Sequence, residues 1–446
     1  MSATEQAEHT PASRERYVDL LRALAIIAVV LGHWLISVVT YDQQGRPTGH
    51  SALPSLPWAF PITWLVQVIP PFFIVGGYAN AASLASHRRR GGDATTWLQE
   101  RSGRLVRPTT ALIVVLTAGA LVARALHADP GLTRMVVWVA SIPLWFLSAY
   151  LVVVVATPPM YLLHQRFGWW VLVVLVVLVA LGDMARLTGH GHLGMGNFLF
   201  GWLAIHQIGF AWRDGQLRFR PSTGVPLLFG GLAALIALTV IGPYPVSMID
   251  IPGQRLLNTS PPTLALLADT AFQLGLVVLL RDPAQRWLHR RRPWRAVVSV
   301  NAVVFTVFLW HMSAVLLLVG LLLLVHRLPT PAVATTGWWL WRPPWLLMLA
   351  VILAALVLVF GRLETRRPPR RVVVRHWRSP LGTAAQAVLT VAAFGCVVAG
   401  LLANNLAPNT GDYLLGMPAA GLAAYLVGAG LLRLQRRPPR PRPPAE

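Results

Sequence analysis

The sequence predicts an all-α, polytopic integral membrane protein of about twelve transmembrane helices with both termini cytoplasmic, and three observations predict it. The first is composition: of 446 residues, 55% are apolar and only 12% charged, too few charged groups to solvate a globular surface. The second is segmentation. A hydrocarbon core about 30 Å thick takes roughly 20 apolar residues per helical crossing, because every backbone polar group must be satisfied inside it. Twelve segments meet this requirement: residues 18–38, 63–85, 108–126, 142–162, 169–185, 194–212, 224–242, 262–280, 296–325, 344–362, 382–403 and 413–433. The third is the placement of the cations. All 38 basic residues are arginine, against 16 Asp or Glu, so the formal charge of +22 is permanent. With the N-terminus inside, these segments leave 31 arginines on the cytoplasmic side and seven opposite, namely Arg46, Arg124, Arg134, Arg186, Arg255, Arg327 and Arg342. That is the positive-inside asymmetry.

An excess of cation also fits nucleic acid. Here, however, the arginines fall in short bursts between Leu-, Val- and Ala-rich stretches that a soluble nucleic-acid-binding domain could not carry. No nucleic-acid partner is expected; anionic lipids at the cytoplasmic face are. Cys396 is the only cysteine, which excludes an intrachain disulfide and a Cys-based metal site. The first apolar stretch, Tyr17 to Val38, is too long for a signal-peptide core and reads as a retained helix. Residues 1–16 form a polar cytoplasmic segment, 364–380 an Arg-rich cytoplasmic loop and 434–446 a disordered Pro- and Arg-rich tail.

Ionisable groups are costly in hydrocarbon, so each is a functional candidate. The first segment carries Asp19, Arg22 and His33. Arg22 and His33 are eleven residues apart, which at about 100° per residue returns to within roughly 20° of one face and separates them by about 16 Å of rise. A cation near the cytoplasmic face and a deeper imidazole thus share a stripe. The plainer alternative makes Asp19 and Arg22 an interfacial ion pair and His33 a hydrogen-bonded core residue.

The second segment ends in Ile69-Pro70-Pro71-Phe72-Phe73-Ile74-Val75-Gly76-Gly77-Tyr78, where two prolines and two glycines are expected to break the helical ladder. Broken backbone at membrane depth needs protein or a water-filled cavity around it, so this stretch reads as a channel wall or as a kink with glycine contacts for helix packing. A long cytoplasmic loop is expected from His87 to Arg107, holding Arg88-Arg89-Arg90 and then Arg101-Ser102-Gly103-Arg104-Leu105-Val106-Arg107-Pro108. Guanidinium forks bind phosphate oxygens in pairs, so this loop suits a phosphorylated cofactor; anchoring by the positive-inside rule explains the first triplet equally well.

Together these stretches resemble the acyltransferase-3 family of integral membrane O-acyltransferases. The resemblance runs through Arg16-x-x-Asp19-x-x-Arg22-Ala23, the Arg22 and His33 pair, Phe72-Phe73-x-x-Gly-Gly77-Tyr78, Arg101-x-x-Arg104-Leu105-x-x-Pro108, Leu144-Trp145-Phe146-Leu147 and Phe308-Leu309-Trp310-His311. It covers roughly residues 16–362 and marks 17–363 as the acyltransferase-3-like transmembrane unit, with 381–433 as two further transmembrane helices beyond the family's usual ten. Gly76 stands where members commonly carry serine, so a hydroxyl role there is lost. Nothing resembles the soluble C-terminal domain of some members.

The resemblance implies transfer of an acyl group, often acetyl, from a cytoplasmic acyl-CoA donor to a hydroxyl of a carbohydrate, lipid or secondary-metabolite acceptor. Imidazole, with an ordinary pKa of about 6.5, suits removal of that hydroxyl proton. His33 is then the general base or a transient acyl carrier. Arg22 would hold the thioester or a phosphate, Arg101 and Arg104 the nucleotide phosphates, and Trp310, His311 and Asp19 the acceptor. His311 and Trp310 also read as an aromatic packing element. No metal is expected, since His190 and His192 lie in a Gly-rich stretch without carboxylates. Asp269 and Gln273 share a helix face at i,i+4, suited to pairing with an arginine or the acceptor.

Two rival readings are a twelve-helix secondary transporter and a non-catalytic membrane partner. Glu100-Arg101-Ser102-Gly103-Arg104 resembles a loop signature of major-facilitator transporters, but Thr96 stands in place of its glycine and the expected loop is far too long. The seventh segment also fails to repeat the first, as a two-fold repeated transporter would require. All-arginine, Ala- and Val-rich usage suggests a GC-rich bacterial genome, and the expected location is the bacterial cytoplasmic membrane, multi-pass.

Overall fold

The computed structural model describes residues 14–43, 45–365, 373–374 and 380–437. The helices are α1 Arg16–Ile36, α2 Thr63–Val66, α3 Ile69–Arg89, α4 Ala94–Ala125, α5 Pro130–Ala140, α6 Pro143–Phe167 and α7 Trp170–Leu187. They continue with α8 Asn197–Arg213, α9 Pro221–Ile236, α10 Leu264–Leu288, α11 Arg291–Leu324, α12 Thr336–Thr365, α13 Pro380–Leu406 and α14 Ala419–Leu434. Among the described residues, ten spans are long and apolar enough to cross a membrane, with α2 and α3 counted as one. The chain is therefore an all-α, multi-pass membrane protein. Each of the twelve expected segments contains a helix, but α8 and α14, at 17 and 16 residues, fall short of a crossing by length. The expected polar segment 1–16 and loop 364–380 lie largely outside the described residues, as does the tail beyond residue 437.

Three expectations are corrected. The long loop from His87 to Arg107 is helical except for Arg90–Asp93. Asp93 caps α4: its carboxylate accepts from Thr96 N at 2.7 Å, and the Thr96 hydroxyl accepts from Asp93 N at 3.2 Å. This reciprocal box satisfies two orphan amides and starts the helix fourteen residues before Pro108. His87 Nε2 lies 2.8 Å from the same hydroxyl, closing the turn. Loop length therefore no longer argues against a transporter.

The second correction concerns the break in the second span, which comes before the prolines and not at the glycines. Pro70 and Pro71 occupy the first turn of α3, where a missing N–H costs nothing, and Gly76 and Gly77 continue a regular helix. The interruption is at Gln67 and Val68, and a neighbouring helix satisfies it: Gln273 Nε2 on α10 donates to the carbonyls of Trp64 and Gln67, both at 2.8 Å. Gln67 Nε2 in turn donates to Met248 O at 2.5 Å. Gly77 packs against Gly209 and the His206 carbonyl of α8, an approach with no room for a Cβ.

The third correction is an antiparallel hairpin, β1 Ser37–Tyr41 with β2 Pro47–Ser51, where apolar patterning indicated only a connection. A two-residue pairing, β3 Val373–Val374 with β4 Arg436–Arg437, is the other sheet among the described residues.

The described chain divides into two compact units. The first draws on Met1–Ala82, Pro159–Val304 and Leu318–Val351. Its helices α9 and α10 lie close along Gly224, Gly231 and Gly275, where an added Cβ would meet Leu279, Phe272 and Leu228. Asp183 of α7 ties down the stretch before α10, accepting from Tyr244 Oη at 2.9 Å, Leu264 N at 2.8 Å and Asn197 Nδ2 at 3.0 Å. Burial, with the Asp183 charge adding to it, raises the Tyr244 phenol above its ordinary value and keeps it a donor.

The second unit draws on Ser83–Pro158, Phe305–Leu317 and Ile352–Glu446. Here α13 and α14 pack through Gly400, Gly421 and Gly428. Arg134 of α5, fully buried, spends all five N–H groups on oxygen: Asn404 Oδ1 and O, Pro408 O, Gly416 O and Ala407 O, at 2.7 to 3.2 Å. Gln99 of α4 reaches Thr390 Oγ1 at 3.0 Å and Gln435 Oε1 at 2.6 Å.

Candidate functional site

In the first unit, α1 is continuous across Arg22 and His33, so the eleven-residue spacing holds and sets them about 16 Å apart along one stripe. His33 sits in the last turn of α1, half-buried. The last four carbonyls of a helix have no partner within it, and here each is answered. His33 O accepts from Ser37 N and from Ser37 Oγ at 2.6 Å; Trp34 O accepts from Trp345 Nε1 at 3.0 Å. Leu35 O and Ser37 O accept from Arg342 Nη1 at 3.4 and 3.0 Å, and Ile36 O accepts from Ala52 N at 2.7 Å. The Arg342 guanidinium lies between the Trp338 and Trp345 rings, 4.5 and 5.7 Å from their centroids. A cation at a helix C-terminus also opposes the negative end of its dipole. The turn that presents His33 is thereby held by residues from three other stretches of chain.

At the other end of α1, Asp19 is buried and accepts from Arg14 Nε at 2.7 Å and Arg22 Nη1 at 3.3 Å. Its own carbonyl accepts from Asn301 Nδ2 at 2.9 Å. Asp19 and Arg22 are thus brought together as an ion pair, with Asp19 orienting the guanidinium. Arg16 Nη1 donates to Leu288 O at 2.9 Å and Tyr17 Oη to Val277 O at 3.0 Å, fastening the start of α1 to α10.

The second unit holds the remaining candidates. Arg101 and Arg104 lie one turn apart on α4, with Arg107 a turn further, so one helix face carries three guanidinium groups at i,i+3 spacing. Arg101 lies 6.0 Å from the Trp97 ring centroid. Trp310 stacks on Phe360 at 3.9 Å. His311 is fully buried, and its Nδ1 lies 2.6 Å from Phe308 O. A carbonyl can only accept, so Nδ1 carries the proton of this hydrogen bond. The Phe308 ring lies 6.0 Å from the imidazole and meets Phe146 edge-on at 5.4 Å, and Phe146 stacks with Tyr150 at 6.3 Å.

Several residues that the sequence did not single out matter to these placements. Glu364 accepts from Phe305 N at 3.1 Å, Thr306 N at 2.8 Å and Thr306 Oγ1 at 2.8 Å, so a carboxylate is inserted into the ladder of α11 one and a half turns before His311. Arg342 had only the signal of an arginine on the disfavoured side, flanked by tryptophans. Asp269, fully buried, receives a hydrogen bond from Gln273 Nε2 at 3.1 Å and meets no arginine among the described residues. His190 and His192 are exposed.

A family model described as an acyltransferase domain, Acyl_transf_3, matches residues 15–363. The chain belongs to the acyltransferase-3 family. The match takes in Asp19, Arg22, His33, Arg101, Arg104, Trp310 and His311 and ends before α13. No curated protein and no solved structure matches the chain. Among the described residues, the family stretch runs from the N-cap of α1 nearly to the end of α12. Membership in a family of acyltransferases makes this chain a membrane acyltransferase by class.

Proposed function

We propose that this acyltransferase-3 protein is an O-acyltransferase that moves an acyl group from a cytoplasmic acyl-CoA to a hydroxyl of a carbohydrate, lipid or secondary-metabolite acceptor. In this reading the chain crosses a bacterial cytoplasmic membrane twelve times, with both termini on the arginine-rich, cytoplasmic side. His33 takes the acceptor's hydroxyl proton as the hydroxyl oxygen attacks the thioester carbonyl carbon. The carbon–sulfur bond then breaks, and the imidazolium returns the proton to the leaving thiolate, so that an ester and a free thiol result. Arg22, oriented by Asp19, holds the donor. Arg101 and Arg104 bind the nucleotide phosphates, for which a helical row of guanidinium forks is suited.

The observation that carries the proposal is the fourfold satisfaction of the last turn of α1. A base must stay within hydrogen-bond reach of one proton, and losing that alignment is costly. The test is transfer of label from acetyl-CoA to acceptors in vesicles holding purified protein. Loss of transfer in His33→Ala, with helicity and acetyl-CoA binding retained, supports the assignment; unchanged transfer refutes it.

One observation favours a second reading. His311 has its Nδ1 proton committed to a carbonyl, the arrangement that leaves Nε2 as the accepting nitrogen of a base. In that reading His311 removes the proton and His33 contacts the acceptor. The two separate on the same assay, because the base variant loses turnover and the contact variant mainly raises KM.

A further inference from the structure

The first unit contains a partly open cavity of about 400 Å³ between α7, α8, α9 and α10. That is within the size range of small-molecule sites. Its interior is hydrocarbon: Val176, Ile205, Ile208, Leu227, Leu267 and Leu274 face it. The hydroxyl of Thr270, which also lines it, is already given to Leu266 O at 2.7 Å. A water molecule needs two to four polar partners, and the interior offers only the Thr270 hydroxyl oxygen as an acceptor, so it suits an apolar occupant.

The polar lining collects at one end. Trp169 precedes α7, Gln216 and Arg218 follow α8, and Thr223 lies in the first turn of α9. From Trp169 to Val176 the lining runs about 10 Å along α7, so the space is elongated along the helices with a polar mouth. Arg218 is exposed, and its side chain has no hydrogen bond or ion pair among the described residues, while its carbonyl accepts from Arg220 N at 3.1 Å. The positive end of α9, a helix of 16 residues, lies beside it. Tryptophan at the rim is the side chain that favours the boundary between headgroups and hydrocarbon.

We propose that this cavity binds one fatty acyl chain of an anionic phospholipid, with the chain inside and the phosphate at Arg218. The apolar interior selects a hydrocarbon chain, and the positive mouth selects an anionic over a zwitterionic headgroup. None of its lining residues is assigned to acyl transfer, and the proposal does not depend on that assignment.

The experiment is thermal unfolding of the full chain in non-ionic detergent, titrated with phosphatidylglycerol, phosphatidylcholine of the same chains, or inorganic phosphate. Phosphatidylglycerol is expected to raise the Tm at lower concentration than phosphatidylcholine, and inorganic phosphate to leave it unchanged. Arg218→Gln, an exposed substitution, is expected to weaken the phosphatidylglycerol effect about fivefold, the factor corresponding to ~1 kcal/mol for one cation near an anionic surface. Val176→Phe, which places a ring across the path of the chain, is expected to abolish the effect of both lipids. Equal effects of the two lipids, an unaltered response in either variant, or a full shift from inorganic phosphate would each overturn the proposal. If Val176→Phe does not fold, Arg218→Gln still decides the headgroup and the inorganic phosphate arm still decides the chain.

Discussion

At His33 the surrounding residues hold backbone: four carbonyls of one helical turn are answered by Ser37, Trp345, Arg342 and Ala52. At His311 the ring itself is fixed, Nδ1 on the Phe308 carbonyl and the side chain fully buried beside the Phe308 ring. A clamped turn fixes where an imidazole starts. A bonded ring has its accepting nitrogen chosen in advance. The contrast teaches that a backbone clamp and a ring hydrogen bond are different kinds of support, and each should fail in its own way when it is cut.

The largest expected effect is the base itself. His33→Ala should lower labelled acetyl transfer by about 10²–10⁴-fold, the range for a general base. His311→Ala should mainly raise KM for the acceptor. A reversed pattern would move the base to His311.

Arg342→Ala should come next, with about a tenfold loss of transfer, equivalent to ~1.4 kcal/mol, because Leu35 O in the His33 turn and Ser37 O just after it lose a charged donor. Arg342→Lys should recover only part of it, since an ammonium lacks the planar fork that stacks on Trp338 and Trp345. Equal activity of all three proteins would show that the clamp does nothing for His33.

Glu364→Gln should have a smaller effect of about 1 kcal/mol on thermal unfolding, because an amide oxygen still accepts one of the three hydrogen bonds while its NH₂ faces donors. If it changes His311-dependent kinetics with no change in stability, the insertion positions the ring and does more than seal the helix.

The smallest effect is expected at Arg104→Gln on the exposed face of α4, a rise of up to about fivefold in KM for acetyl-CoA with kcat unchanged, the signature of uniform binding. A fall in kcat alone would remove Arg104 from the donor site.

The spans were legible because hydrocarbon admits only one pattern, and each expected apolar segment contains a helix. What the pattern hid was polar helix. Arg101 to Arg107 read as loop since charge was equated with solvent, although arginine is a good helix former and Asp93-x-x-Thr96 spells a capping box. The break at Gln67 was displaced to the prolines because its remedy, Gln273, lies over two hundred residues away in sequence. Asp19 and Arg22 were readable as a pair from i,i+3 spacing alone. Arg342 and Glu364 were not, since each acts on a helix remote in sequence and neither interrupts an apolar run in a distinctive way.

Arg134 ties the matched stretch to the chain that follows it. The family match stops at residue 363, yet a fully buried, permanently charged side chain from the earlier part of the chain finds every one of its oxygen partners between Asn404 and Gly416. Trimming the protein to its matched stretch would leave that guanidinium with five unmet donors in a place water does not reach. The final helical pair is therefore part of the foundation of the second unit, and its loss should be felt first at α5.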